Sequence, residues 1–410
     1  MKITIHRGTD QIGGCVTEYE HDGWRLFVDY GTQLPGHESK SLEIEGLTKG
    51  DASKTALLLT HYHGDHLGEI GTLPSSIPLF MGDLCRDIAC FYLDYVGHVC
   101  DKSKRIAKRL EEARTFKPGE AFKFGPFEIF PLNIDHSAFD AYAFKIEADG
   151  ESVFHTGDFR SHGFRGGKLD KALRYYIRKT DYIVCEATNI CRPDATMESE
   201  HKLQQRYIQA FRENKHNVVY VSSTNIDRIF GLYQAAIATG LPLYMDKYQK
   251  EILNKLVRSD SIWKASKLFQ FDYHHKIRLL EKDNDEGYIA DSDFYGNKGF
   301  VLIARANTRF SNLISRIPDV KNYLSMWDGY LKEGPAFNAE LAKALKNGYE
   351  YLHTSGHCDI RTLEKVFQIL SPKAIIAIHT DSPTAFREHF SDRWEIVGLT
   401  DGQTFDTKGI

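Results

Sequence analysis

The stretch TALLLTHYHGDHLGEI, residues 55–70, sets His61, His63, Asp65 and His66 within six positions at the end of an apolar run. Imidazole and carboxylate are the nitrogen and oxygen ligands that Zn²⁺ accepts. If the backbone stays extended after LLLT, His61 and His63 project to the same side. Gly64 then lets the chain turn, and Asp65 and His66 open the next element. Four such groups in one turn would repel or be badly desolvated unless a cation held them. Any one of these histidines alone reads as an ordinary polar residue. The unit H-x-H-x-D-H reads as a metal site.

Further ligand candidates stand where other apolar runs end: His136 in NIDHSAFD, Asp158 in VFHTGDFR and His379 in AIIAIHTD. His61, His63 and His136 make one group, Asp65, His66 and His379 a second, and Asp158 could bridge them. Each of two metals then has four protein ligands, and a bridging hydroxide brings each to five. Such a centre remains positive after its two carboxylates are counted, so it attracts an anion. It also lowers the pKa of bound water to roughly 7, which supplies a nucleophile at neutral pH. Paired metals suit an in-line displacement at phosphorus. Two zinc ions are the expected cofactors, and Mn²⁺ is an alternative because His and Asp accept both.

The elements that must hold these residues are strands. ITIHRG, VTEYEH, WRLFVDYG and TALLLT read as strands separated by the turns QIGG, HDG and QLPG. Residues 82–114 read as helical, with a basic face in the segment around Lys102, Lys104, Arg105, Lys108, Arg109, Arg114 and Lys117. FEIFPLNI, AYAFKIEA, ESVFHTG and DYIVCEAT return to strand. From about residue 197 helices alternate with short apolar runs, the pattern of βαβ units on a parallel sheet. The expected domains are therefore 1–196, 197–347 and 348–410, the last returning to the first. The middle part holds 22 basic and 18 acidic residues, whereas the whole chain carries a net charge of −4. That is a weak pointer to an anionic partner of the middle part.

At 410 residues the chain is long for one core. No apolar run approaches the roughly 20 residues that span a bilayer, and MKITIHRGT reads as a strand rather than a leader. Seven scattered cysteines without a C-x-x-C pair fit reduced thiols and a cytoplasmic location.

The set Asp29 in FVDYG, HYHGDH, His136 and Asp158 resembles the metallo-β-lactamase fold superfamily. That resemblance implies an α/β fold, an αββα sandwich with a dinuclear site at one edge. Asp158 and His379 are 221 residues apart, and the insertion between them resembles a β-CASP cap, the mark of the nucleic-acid branch. Glu186 in VCEATN, His357 in HTSGH and His379 match that branch's further motifs, and EATN, DHSAFDA and H-x-S-G-H are most similar to ribonuclease J. The resemblance covers nearly the whole chain.

Roles follow residue by residue from the resemblance. Asp29 would orient a ligand histidine by hydrogen bond. Asp65 would serve the centre as ligand and catalytic carboxylate, His357 would be the general acid, and Glu186 would hold it. Ser355 and the Gly356 N–H would bind a phosphate. Apart from the resemblance, Arg228 and Arg305 or Arg309 are candidates for phosphate contacts because they are basic. Three features depart from the family. The chain ends about 30 residues after His379, without the C-terminal domain usual in ribonuclease J, which sets its oligomeric state in doubt. IARANTRFSNL stands where relatives have a Gly-rich loop. Thr-Asp follows His379 where they have Gly-Glu. The expected activity is hydrolysis of single-stranded RNA, exo- or endonucleolytic, with no membrane role. The alternatives are a DNA nuclease of the same chemistry, a small-molecule metallohydrolase and an inactive scaffold subunit. Protein partners are not legible.

Overall fold

Strands that run parallel in a covered sheet read as unbroken apolar stretches, because both faces are buried. Thr55–Leu58, Tyr182–Glu186 and Ala374–Ile378 have that character, and all but one of their residues are buried. The computed structural model describes residues 1–37, 41–192, 197–258, 269–271, 276–282, 287–296 and 298–409. The chain divides into two compact units, Met1–Thr196 with Gly356–Ile410, and Met197–Ser355.

The first unit is built on two mixed sheets. One has seven strands in the spatial order Gln403–Asp406, Lys2–Arg7, Val16–His21, Trp24–Val28, Thr55–Leu58, Leu79–Gly82 and Arg114–Phe116. The other has six, in the order Ala374–Ile378, Tyr182–Glu186, Glu151–His155, Ala141–Ala148, Phe127–Ile134 and Phe122–Phe124. Ile3, Ile5, Leu26, Val28 and Leu58 from the first sheet pack with Phe127, Ile129, Phe144, Val153 and Val184 from the second in one core. On its other face the second sheet packs Ile183, Cys185 and Ile375 against Leu363, Phe367, Phe386 and Phe390. The last four belong to helices Ile360–Leu370 and Pro383–Phe390. This is the expected αββα arrangement. The helical stretch expected over 82–114 is two helices, Asp83–Gly97 and Asp101–Glu111, packed on each other.

Strand direction explains why the candidate residues collect. Glu151–His155, Tyr182–Glu186 and Ala374–Ile378 are parallel, and Phe127–Ile134 runs the same way because two antiparallel pairings separate it from Glu151–His155. Their C-terminal ends therefore share one edge of the sheet. His136, Asp158, Glu186 and His379 lie at or just beyond those ends. In the first sheet, Trp24–Val28 and Thr55–Leu58 are likewise parallel, and they end at Asp29 and before His61.

The second unit carries a seven-stranded sheet in the order Tyr288–Ile289, Ile277–Lys282, Leu243–Asp246, Phe300–Ala304, His216–Tyr220, Val320–Leu324 and Glu350–Tyr351. Every neighbouring pair is parallel except the one involving Tyr288–Ile289. The alternation of apolar runs with helices thus yields the parallel sheet it implied. The boundary expected at 347 falls too early. Glu350–Tyr351 pairs with Val320–Leu324, so this unit extends to Ser355.

Candidate metal centre

The turn after Thr55–Leu58 is held tightly. The short helix Gly64–Leu67 follows at once. Tyr30 N–H donates to the His66 carbonyl at 2.8 Å and Thr32 N–H to that of Gly64 at 3.0 Å. Gly31 lies between them, and a Cβ there would come within 1.7 Å of the Asp65 carbonyl oxygen. No side chain fits, which is the reason for glycine at this place.

The turn brings His61, His63 and His136 together, with one ligand atom from each within 4.8 Å of the others. Asp65, His66 and His379 form a second such group, and His61, His66 and Asp158 a third. Asp158 Oδ2 lies 3.1 Å from His66 Nε2, 3.5 Å from His379 Nε2, 3.8 Å from His61 Nε2 and 3.9 Å from His136 Nε2. One carboxylate thus faces both groups. All seven expected ligands are buried or half-buried.

Asp29 accepts from Thr60 N–H at 2.8 Å and Thr60 Oγ1 at 2.7 Å, and its Oδ2 lies 2.7 Å from His66 Nδ1. His136 Nδ1 donates to the Gly356 carbonyl at 2.7 Å. In both rings the Nδ1 atom is engaged, which leaves Nε2 to face the cluster.

His357 Nδ1 lies 3.3 Å from Glu186 Oε2 and 3.8 Å from Asp158 Oδ2. Glu186 is fully buried and accepts from the backbone N–H groups of Phe159, Thr188 and Cys358. Burial pulls the His357 imidazole down, but the carboxylates of Glu186 and Asp158 outweigh it and hold the group up at about 9. Burial likewise opposes charge on His66, but Asp158, Asp29 and Asp65 hold that ring well up, whereas three other ligand histidines go the opposite way. Burial pushes His61 and His136 well down, and His63 to about 4, so these rings are neutral and able to donate a lone pair.

The donor set fits a divalent cation. His61 Nε2 and Asp158 Oδ1 are buried and have no hydrogen-bond partner among the described residues. Buried polar atoms are normally paired, so two orphans inside a ring of imidazole and carboxylate call for a cation between them. Five imidazoles and two carboxylates suit zinc or manganese rather than a thiolate-seeking ion.

Thr60 and Thr188 were not singled out by sequence. Thr188 Oγ1 lies 2.7 Å from His379 Nδ1 and 3.1 Å from His357 Nδ1, so it orients both rings. Their only sequence signal is position, one residue before His61 and two after Glu186. A buried network beneath His136 was also missed. Arg160 and Arg165 pair with Asp135, and Arg165 donates to the His136 carbonyl at 3.0 Å.

Arg228 is the main correction. It is 1 % exposed, and its guanidinium grips both oxygens of buried Glu200, at 2.9 and 3.0 Å, while also reaching Ser325 and the Thr354 carbonyl. Its role is to pin helix Ile226–Thr239 inside the second unit, not to meet substrate. Arg305 pairs with Asp246, and Arg309 donates to the Gly287 carbonyl at 3.1 Å. In the basic run, Lys102 pairs with Glu69 at 2.7 Å and Arg109 is buried against the Pro74 and Ile77 carbonyls. Gly356 gives its carbonyl to His136. The helix N-terminus beyond it is capped by Asp359, which accepts from Thr362 N–H at 2.9 Å. Ser355 is the half-buried last residue of the second unit.

The chain is also similar to known proteins. A family model described as the Beta-lactamase superfamily domain matches residues 35–222. Ribonuclease J of Mycobacterium tuberculosis (strain CDC 1551 / Oshkosh) is 27% identical over 250 residues, 58% of this chain and 43% of that protein. Ribonuclease J of Mycoplasma pneumoniae is 21% identical over 410 residues, 92% of this chain and 67% of that protein. The chain is thus similar to proteins of the metallo-β-lactamase superfamily, ribonuclease J among them. It spans under half the length of the M. tuberculosis relative. A crystal structure of a protein of unknown function from Enterococcus faecalis V583 has the same fold, with a TM-score of 0.74 and 17% identity over 98% of this chain and 99% of that one. The family match includes His61 to Asp158 and Glu186 but stops before His357 and His379. Those two residues rest on the geometry above. No helix among the described residues is long and apolar enough to cross a membrane.

Proposed function

We propose that this protein is a zinc-dependent phosphodiesterase that cleaves single-stranded RNA. The observation that carries the reading is Asp158 facing two His/Asp groups at once, with the Glu186–His357 pair 3.8 Å away. The substrate class follows from the relatives, which bear the name ribonuclease J. The middle unit, read as a β-CASP cap, supports a nucleic-acid substrate over a small molecule.

His61, His63 and His136 would hold one ion, Asp65, His66 and His379 the other, and Asp158 both. Zinc bound there supplies a hydroxide nucleophile near neutral pH and neutralises charge that builds on phosphate oxygens. His357 donates its proton to the leaving 3′-oxygen, and Glu186 stabilises the charged imidazole before that transfer. Thr188 keeps the His357 and His379 rings aligned during it. Asp29 and Thr60 keep the Nδ1 side of His66 engaged, so its Nε2 stays directed inward. Ser355 and the Gly356 N–H are the proposed phosphate contacts. Seven scattered cysteines support a reducing, cytoplasmic setting.

The test incubates purified protein with Zn²⁺ or Mn²⁺ and one sequence as 5′-monophosphorylated RNA, 5′-triphosphorylated RNA and single-stranded DNA. Cleavage of RNA over DNA is expected, and the product ladder separates exo from endo action. No cleavage of any of the three with two metals bound per chain sinks the nuclease reading. Cleavage of DNA alone replaces the substrate.

A further inference from the structure

Between the metal-ligand motif at Asp158 and the strand that ends at Glu186 lies the run KLDKALRYYIRK, Lys168–Lys179, which the site does not use. Leu169–Ala172 is an α-helical turn, and Leu173–Ile177 continues it as a π-helical one. Leu173 and Ile177 are fully buried in the same core as Leu363 and Phe367. With those two anchors turned inward, the residues between them face out.

What faces out is unusual in two respects. Lys168, Lys171, Arg174, Arg178 and Lys179 are all exposed. None has an ion-pair partner among the described residues, and the run's single acid, Asp170, is already paired with Lys365 at 2.5 Å. A solvated helix face ordinarily mixes both signs. Beside these cations stand Tyr175 and Tyr176, 71% and 51% exposed. They are not loose. Tyr176 stacks on Phe130 with centroids 5.8 Å apart and planes 26° from parallel. Tyr175 stands edge-on to Tyr176 at 4.7 Å and 83°. The backbone is held in a π turn that ends at Arg178 with φ +63°, a conformation rare for a residue with a side chain.

Unpaired cations recognise phosphates, and supported, exposed rings recognise the flat faces of unstacked bases. A duplex hides those faces. A lipid headgroup or an acidic peptide would use the charges and leave the rings without a partner. We propose that Lys168–Lys179 is a docking surface for single-stranded RNA, with Tyr175 and Tyr176 stacking bases and the surrounding cations holding phosphates. The proposal rests on the reading of the chain as an RNA-processing protein. None of its residues belongs to the His/Asp cluster.

The experiment measures binding of the full chain to a fluorescent, unstructured 20-nucleotide RNA by anisotropy, in the cold with EDTA, across a series of salt concentrations. Thermal melts of every variant establish folding. Tyr175→Ala/Tyr176→Ala is expected to weaken binding about tenfold with an unchanged salt slope, since base stacking is largely uncharged. Lys171→Gln/Arg174→Gln is expected to weaken binding and to flatten the slope by about 1.4, roughly 0.7 for each phosphate released. Folded variants that bind as the wild type does overturn the surface. Loss of binding to phosphatidylserine vesicles without loss of RNA binding also overturns it, in favour of a membrane. Wild-type turnover of bis(p-nitrophenyl) phosphate separates this proposal from the catalytic one. If turnover is absent while the variants still lose RNA, the surface stands and the catalytic reading falls. If turnover is present while the variants keep RNA, the reverse holds.

Discussion

Asp29 and His66 are joined by a 2.7 Å contact from Oδ2 to Nδ1, and the same carboxylate takes both the N–H and the hydroxyl of Thr60. Asp29 has φ +61°, which asparagine tolerates. Asp29→Asn would therefore keep the backbone but place an amide where Oδ2 stood. The new N–H faces Nδ1, favours the tautomer protonated on Nε2, and so opposes ligation. We expect metal affinity to fall about 10–100-fold, with little change in melting temperature of the metal-free protein. Competition against a chromophoric chelator measures it, and unchanged affinity would refute the orienting role.

The Glu186–His357 pair separates chemistry from metal holding. His357→Ala should lower cleavage of RNA by about 10²–10⁴-fold, the range for loss of a general acid, with two metals per chain retained. Glu186→Gln should lower it less, because the imidazole stays in place but loses the partner that favours its charge. Metal content by mass spectrometry beside single-turnover rates distinguishes the outcomes. Loss of metal in His357→Ala would make His357 a ligand instead of an acid.

Much of the centre was legible in the sequence, and the reason is local. HYHGDH is contiguous, and the distant partners each follow an apolar run, so strand ends announce them. The αββα layering and the parallel sheet of the second unit were legible for the same reason, through apolar periodicity. Arg228 was misread because sequence shows a cation and a following helix but not the buried Glu200 that consumes it. Thr60 and Thr188 were invisible because a threonine beside a motif is common, and only the fold shows that each hydroxyl meets two groups at once. The break between Asp83–Gly97 and Asp101–Glu111 was lost in a continuous polar helical pattern.

The Arg228–Glu200 pair has its own test. Both side chains are 1 % exposed, so removing one partner strands a buried charge. Arg228→Ala should cost about 3–5 kcal/mol of stability, read by urea unfolding. Arg228→Met with Glu200→Leu should recover much of it. A variant of normal stability with weakened RNA binding would restore the substrate role that sequence first indicated.

Gly31 sets the clearance around the metal-ligand turn. Any side chain there must displace the Asp65 backbone, since the added carbon would sit 1.7 Å from its carbonyl oxygen. Overpacking of this kind costs about 1–3 kcal/mol. Gly31→Ala should therefore lower both the unfolding free energy and the affinity for the ion that Asp65 would hold. Isothermal titration with Zn²⁺ should show one strong site and one weakened. Two undisturbed sites would mean that the turn is not rigid.

Asp140 supplies a pH signature that does not involve the metal ligands. It is 1 % exposed, with φ +62°, and accepts from Tyr142 Oη at 2.8 Å and Cys85 N–H at 3.1 Å. Burial raises its carboxyl to about 6 despite those bonds. The folded state then binds a proton more tightly than the unfolded chain does. The resulting stability is complete below the ordinary value of 3.8 and is lost as pH rises through about 6. Between pH 5 and pH 7 the wild type should lose about 1 kcal/mol relative to Asp140→Asn. Asparagine suits the positive φ but does not titrate, so its own stability at any single pH is not the readout. The difference in slope between the two proteins is, and parallel curves from pH 5 to pH 7 would show that Asp140 stays ionised in the fold.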